Sequence, residues 1–417
     1  MDDLIYWIWL SQACTPDTST FPKLIEKFGS AIEIYNAEEY DISICVGHRN
    51  SDRRALLDKN LKQAENIYNL CKRGRIGIVP YCSPEYPKAL KAINTPPVLL
   101  YYFGQWPDFD RTFAVSVVGT RALSNYGRKN AFKIAHDLAD AGATVVSGMA
   151  LGIDSVALAG AISAGKPVIA VWGSGINVCY PKEHRTLAQQ IARCGCIITE
   201  YAPSVKPYKY NFPKRNRIIS GLSAATLVIE GREKSGALIT ARYAKAQGRR
   251  IYALPGSVDS VRSELPNLLL KNGAKICTSA DDIVNDYKDE YPGIINPFEL
   301  KCTLGVDMMS ELHRLRIVSN CPDDPIFTPP RAKSRDKVAL PEIKERPAAV
   351  ELNEPTAGFD AKSLAIYKKI PVEGKCSIES LADSEIPLKD VMRCMLKLEM
   401  GGFVSLLPGE AVCRKPK

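Results

Sequence analysis

The chain lacks a long hydrophobic run. Its early apolar stretch, Leu4 to Leu10 (LIYWIWL), follows two aspartates and stops far short of the roughly 20 residues a membrane-spanning helix needs. The basic start and small-residue cleavage site of a secretory leader are missing too, so the run reads as a core helix and the protein as cytoplasmic. Histidine is scarce: His48, His136, His184 and His313 are dispersed, and none sits in a recognisable catalytic frame. Cysteine is plentiful at thirteen, but the number is odd, the residues are scattered and the only close pair is Cys194-x-Cys196. That pattern indicates neither a disulfide framework nor a zinc site, reduced and mostly buried thiols are the favoured reading, and no metal is expected.

Complete nucleotide motifs are absent as well. Gly160-Ala-Ile-Ser-Ala-Gly165-Lys166-Pro167 has P-loop spacing, but it ends in Pro, which offers no hydroxyl to magnesium, and it falls between a helix and a strand. Gly173-Ser-Gly175-Ile-Asn-Val178 begins like a dinucleotide fingerprint and lacks both its third glycine and a ribose-binding acid. No cofactor is expected. Asp154, Glu200 and Glu230 lie near strand ends, which leaves an N-glycosidic hydrolase acting on a nucleotide as an alternative. Helix capping and pairing with neighbouring cations is the favoured account of these three carboxylates.

What the sequence does contain is concentrated positive charge. The net charge is +9, and eleven Lys and Arg between Tyr201 and Arg250 face only Glu230 and Glu233, so that window carries the whole excess. Charge gathered in one segment points to a polyanion such as nucleic acid. Within it, Asn211-Phe-Pro-Lys-Arg-Asn-Arg217 places Lys214, Arg215 and Arg217 in the first turn of a predicted helix, the end whose dipole disfavours cations. An external anion would resolve the conflict.

From Phe113 to about Ser279, short β-branched runs alternate with amphipathic stretches. The runs are Phe113–Val118, Ala143–Val146, Pro167–Val171, Cys196–Thr199, Ala225–Ile229, Arg250–Leu254 and a weaker Ala274–Cys277. Continuous apolar strands separated by helices predict an α/β, doubly wound, mainly parallel sheet, with ligands bound beyond the C-terminal strand ends. Three of those ends carry small residues fit for an anion-binding nest: Gly119-Thr120-Arg121, Ser147-Gly148 and Gly173-Ser174. Arg121 adds a guanidinium able to grip a phosphate with two donors. Phe212 offers a face for a base or packs in the core, and Asn216 lies between the two arginines. Arg242 and Lys245, three apart on a capped helix from Ser235 to Lys245, would extend a basic track.

The domain boundaries follow from composition. Residues 1–57 read as a small helical module, 58–285 as the α/β domain and 286–360 as a linker rich in Pro and charge. Residues 361–417 offer three short helices and a hairpin, which suggests a winged helix with Val391, Met395 and Leu398 on its apolar face. Its third helix sets Lys389, Arg393 and Lys397 against Asp390 and Glu399, too weak an excess to argue DNA reading.

Taken together, VVGTRALSNYGRKNA, VVSGMALGIDSVALAGAI, INVCYPKEH, ITEYAP, NFPKRNRIISGLSAATLVIEG, KSGALITARYAKAQGR and YALPGSV occur in that order. The sequence thereby resembles the DNA-processing protein A (DprA, or Smf) family of bacteria. Thr120 stands where that family often has Ser. The resemblance implies an extended Rossmann fold flanked by a sterile-alpha-motif-like domain and a winged helix. It also implies a homodimer that binds and protects incoming single-stranded DNA, loads the recombinase RecA during natural transformation, and has no catalytic activity. The implied binding positions are Gly119, Arg121, Ser147, Gly148, Gly173, Ser174, Phe212, Lys214, Arg215, Asn216 and Arg217. Two other classes stay open on the residues alone: a nucleotide-binding or nucleotide-hydrolysing Rossmann protein, and a scaffold with no oligonucleotide affinity.

Overall fold

The computed structural model describes residues 3–47, 51–295, 307–317 and 360–371, with 376–377, 379–382, 386–400, 403–407 and 411–414 near the C-terminus. The chain divides into two compact units, Met1–Lys333 and Ser334–Lys417.

The first unit is built on a nine-stranded sheet. Its strands are β1 Gly77–Pro80, β2 Leu99–Gly104, β3 Ala114–Val118, β4 Thr144–Ser147, β5 Val168–Val171, β6 Cys196–Thr199, β7 Ala225–Val228, β8 Arg250–Ala253 and β9 Lys275–Ile276. The spatial order is β1-β2-β6-β5-β4-β3-β7-β8-β9. β3 to β9 run parallel. β1 and β2 add antiparallel beyond β6, with Tyr101 opposite Thr199 and Val79 opposite Leu100. All residues of β3 to β7 are buried, which is why these segments read as unbroken apolar runs: helices cover both faces.

From β3 the chain steps outward through β4 and β5 to β6, then returns to the other side of β3 as β7. The crevice between the C-terminal ends of β3 and β7 is therefore the switch point of the sheet, where connections leave in opposite directions and ligands bind. The Thr120 amide donates to the Glu230 carbonyl at 2.8 Å, tying the two strand ends together.

Helices Asn125–Asp140 and Ile153–Ser163 pack against each other beside β3 and β4. Their closeness depends on Gly160, where a Cβ would lie 2.3 Å from the Phe132 carbonyl oxygen. The first glycine of the P-loop-like spacing is thus a helix-packing residue. Gly160→Ala is expected to lower stability by about 1–3 kcal/mol through forced separation of the two backbones, read as a shifted urea midpoint.

Five short helices, Leu4–Ala13, Thr20–Phe28, Ala31–Asn36, Glu39–Val46 and Arg53–Leu57, and a longer one, Lys62–Gly74, precede the sheet. In the first, Trp7, Ile8, Trp9 and Leu10 are all buried, so LIYWIWL is the core helix the sequence predicts.

The expected linker departs from prediction in two segments. Met308–Arg314 is a helix whose N-terminal Asp307 side chain accepts from the Met309 and Ser310 amides, and Leu312, Leu315 and Ile317 enter the main core. Apolar side chains at helical spacing outweigh the charge that marked the region. Residues 286–295 of the expected linker are described as well and bring the buried Tyr287 and Ile295 into the same core, and 296–306 and 318–359 lie outside the described residues.

In the second unit, helices Ala361–Lys369 and Leu388–Met400 accompany a three-stranded sheet of β10 Cys376–Ser377, β11 Val404–Leu407 and β12 Ala411–Arg414, ordered β10-β12-β11. Ile366, Leu381, Val391, Met395, Leu398 and Val404 form its core. Lys397 pairs with Asp360 at 2.8 Å and Lys362 with Asp390 at 3.0 Å.

Candidate nucleic-acid interface

A cleft of about 660 Å³ opens at the switch point. The turn after β3 (Gly119, Thr120, Arg121) forms one side, and the helices Asn211–Gly221 and Gly236–Ala246 contribute Phe212, Arg215, Asn216, Gly236, Ile239 and Thr240. Asp154 also lines it, as do Tyr180 and Lys209.

The base is built around a buried guanidinium. Arg215 Nη1 donates to the carbonyls of Gly148, at 3.0 Å, and Val171, while Nε donates to Asn216 Oδ1 at 3.2 Å. Asp154 Oδ2 accepts from the Gly148 amide at 3.2 Å. Burial pushes the Arg215 guanidinium down to about 10, against the opposing pull of Asp154. Burial likewise raises the Asp154 carboxyl, with Arg215 drawing it back. The seat admits only glycine at position 148, since a Cβ there would lie 2.5 Å from Arg215 Nη2. Arg215 is thus a largely compensated charge.

Phe212 forms an aromatic wall. Its ring centroid is 5.3 Å from that of Tyr180 and 5.9 Å from the Arg215 guanidinium carbon. Gly173 backs it, with a would-be Cβ 2.9 Å from the ring. Phe212 is half-buried and lines the cleft, so it both packs and presents a face. Arg121 and Lys209, by contrast, are exposed at the mouth.

Of the candidates, Gly119, Thr120, Arg121, Phe212, Arg215 and Asn216 come together at the cleft, and the others do not line it. Ser147 is buried and its hydroxyl donates to the Val117 carbonyl at 2.6 Å. Ser174 is likewise buried, donating to Val178 at 2.7 Å. Gly148 and Gly173 stand behind Arg215 and Phe212. The amides of Thr120 and Gly148 are already bonded, to Glu230 and Asp154, so these corners are not open nests. Arg242 and Lys245 are exposed on a helix that turns Gly236, Ile239 and Thr240 to the cleft.

The largest correction concerns the clustered cations. Arg217 is only 1 % exposed, and its Nη1 and Nη2 donate to Glu200 at 3.1 and 2.6 Å, with Nε 3.5 Å from Asp17. Burial alone would weaken this guanidinium, but Glu200 and Asp17 hold it above its ordinary range. At about 100° per residue, positions 215 and 217 point to nearly opposite sides of a helix, so the two arginines cannot share one ligand face. Lys214 is half-buried and lies off the cleft. The anion that resolves the helix-end conflict is, for Arg217, an internal carboxylate. Glu230 has a structural partner too, accepting from the Ser124 amide at 3.0 Å and from its hydroxyl, and Ser124 in turn caps the helix Asn125–Asp140.

Sequence reasoning missed Tyr180 and Lys209. Lys209 had a signal in the alternation Lys206-Pro207-Tyr208-Lys209-Tyr210, cations interleaved with aromatics. Tyr180 is brought in from thirty-two positions before Phe212 by the path after β5, and only its family motif marked it. Among the described residues no group of three or more His, Cys, Asp or Glu is placed to hold a metal ion, and no helix is long and apolar enough to cross a membrane.

The sequence pattern of the DNA recombination-mediator protein A family matches residues 77–288, which spans the sheet and every cleft residue named above. The chain belongs to that family. It is 37% identical over 223 residues to the DNA processing protein DprA of Bacillus subtilis, covering 54% of this chain and 75% of that one. It is 34% identical over 329 residues to the protein Smf of Synechocystis, covering 78% and 77% respectively. Among solved structures, DNA processing protein A of Streptococcus pneumoniae superposes with a TM-score of 0.60 at 32% identity, over 68% of this chain and 97% of that one. The nine-stranded, mainly parallel sheet is thus the family's fold in this member of DprA/Smf.

Proposed function

We propose that this chain is a cytoplasmic single-stranded DNA-binding protein that protects incoming DNA and loads RecA onto it during transformation, as a homodimer and without catalysing a reaction. One observation carries the reading: two exposed cations, Arg121 and Lys209, stand at the mouth of a cleft whose wall is the aromatic pair Tyr180 and Phe212. Phosphates along a flexible strand meet the cations while bases stack on the rings, a combination indifferent to sequence. The relatives named as DNA-processing proteins and the family's description as a recombination mediator support it. On the same reading residues 1–57 are the sterile-alpha-motif-like module and 361–417 the winged helix, joined through 286–360.

The mononucleotide alternative asks the glycine corners for free amides, and those of Thr120 and Gly148 are taken. Excess AMP or ATP is therefore expected to leave a bound oligonucleotide in place. Displacement would favour the alternative, and no oligonucleotide binding at all would favour the scaffold.

Arg121→Ala with Lys209→Ala is expected to weaken single-strand binding about tenfold or more at low salt. The slope of log affinity against log salt should flatten by about 1.4, near 0.7 per lost phosphate contact. Both side chains are exposed, so the thermal midpoint should not move. Unchanged affinity and slope would remove these cations from the interface.

A further inference from the structure

Two exposed tyrosines next to the cleft are not used by the site as described. Tyr208 and Tyr210 are 46% and 61% exposed, and their rings lie parallel within 5° at a centroid distance of 5.4 Å. Residues two apart hold this arrangement because the backbone turns there: the Tyr208 amide donates to the Lys206 carbonyl at 2.8 Å, and the Asn211 amide to the Tyr208 carbonyl at 3.0 Å. Their flanking residues Pro207 and Lys209 line the cleft. Large aromatic rings ordinarily remove apolar area from water. Here a pre-stacked pair is left facing solvent beside a cation, at the point where the first helix residues deliver Phe212 to the cleft.

We propose that Tyr208 and Tyr210 form a second base-stacking platform, outside the cleft, for the nucleobases of a single strand whose phosphates pass Arg121 and Lys209. The inference rests on the single-strand reading above and extends it. The rings are already parallel, so an incoming base continues an existing stack instead of ordering a loose side chain. It also makes the pair a determinant of strand selectivity. Bases in a duplex are stacked on one another and offer no free face, whereas an unpaired strand does. Phosphate contacts alone distinguish the two poorly.

The test uses the full-length chain, a thymidine oligonucleotide series of increasing length, matching duplexes, and oligonucleotides carrying abasic positions. Tyr208→Ala with Tyr210→Ala should weaken binding of long single strands about tenfold or more. Binding of the shortest oligonucleotides, of duplex, and the salt slope should stay at the wild-type level. Tyr208→Phe with Tyr210→Phe should restore affinity, because the ring face and not the hydroxyl makes the contact. Wild type should lose the same factor on one abasic position in the long strand, and the alanine variant should be insensitive to it. Equal binding of long strands by wild type and the alanine variant overturns the platform while leaving the cleft reading intact. So does a uniform loss across all lengths and duplex, which marks a structural role. If wild type binds no oligonucleotide, the cleft reading and the platform fall together.

Discussion

Arg217→Ala is expected to destabilise the fold by about 3–5 kcal/mol, the largest effect of any single change considered, although the residue sits in the most basic motif of the chain. Removing the guanidinium leaves Glu200 buried and charged with its two donors gone. It also frees Asp17, whose carboxylate lies 3.5 Å from Arg217 Nε and accepts from Thr95 Oγ1 at 2.9 Å and from the Tyr243 hydroxyl. Asp17 lies in the turn between the helices Leu4–Ala13 and Thr20–Phe28, Thr95 precedes β2, and Tyr243 lies on the helix Gly236–Ala246, so a single arginine joins three parts of the first unit. The measurement is a urea titration of wild type and variant. A second variant, Arg217→Met with Glu200→Gln, should recover most of the loss, because it removes both charges and keeps much of the volume. An unshifted midpoint for Arg217→Ala, combined with a flattened salt slope for DNA, would mean that Arg217 meets phosphate and that the buried pair opens on binding.

The sheet was legible because its strands are buried on both faces: every residue of Ala225–Val228 is inside, and the run needs no alternation to be recognised. The antiparallel direction of β1 and β2 was not, since direction depends on what the strand meets, here β6, and on no property of Leu99–Gly104 itself. Within the site, Arg121 and Phe212 could be read directly, one from a glycine turn after a strand and the other from its place at a helix start. The basic window misled because counting charges ignores burial. Of its eleven cations, Arg215 and Arg217 are buried, Arg249 donates to the Ala89 and Gly221 carbonyls, and Arg250 pairs with Glu290 at 2.7 Å. The helical angle between 215 and 217 was available from the sequence and alone would have separated them. Glu200 as the partner was not, because it reaches Arg217 across the loop between β6 and the helix.

Arg215→Lys should cost about 1–3 kcal/mol of stability and weaken single-strand binding about tenfold, with the salt slope left as in wild type. The guanidinium makes donor contacts to two strand-end carbonyls and to Asn216 in one plane, and an ammonium on a flexible stem cannot reproduce that fork. The Val171 or Gly148 carbonyl then lies buried without its donor, and Asp154 faces a mobile ammonium in place of the fixed guanidinium. Affinity should follow because the same guanidinium sits against the Phe212 ring and fixes the wall on which a base stacks. The deciding slope is that of Arg215→Ala, because a lysine still carries the charge that meets a phosphate: a residue that positions a ring changes affinity without changing how many counterions the strand releases, whereas a phosphate ligand changes both. Gly148→Ala provides the independent check, since its Cβ would intrude 2.5 Å from Arg215 Nη2 and unseat the side chain with no change of charge. Matching losses in the two variants at constant slope establish Arg215 as a positioning residue, and a slope reduced by about 0.7 in Arg215→Ala alone would instead make it a direct phosphate ligand.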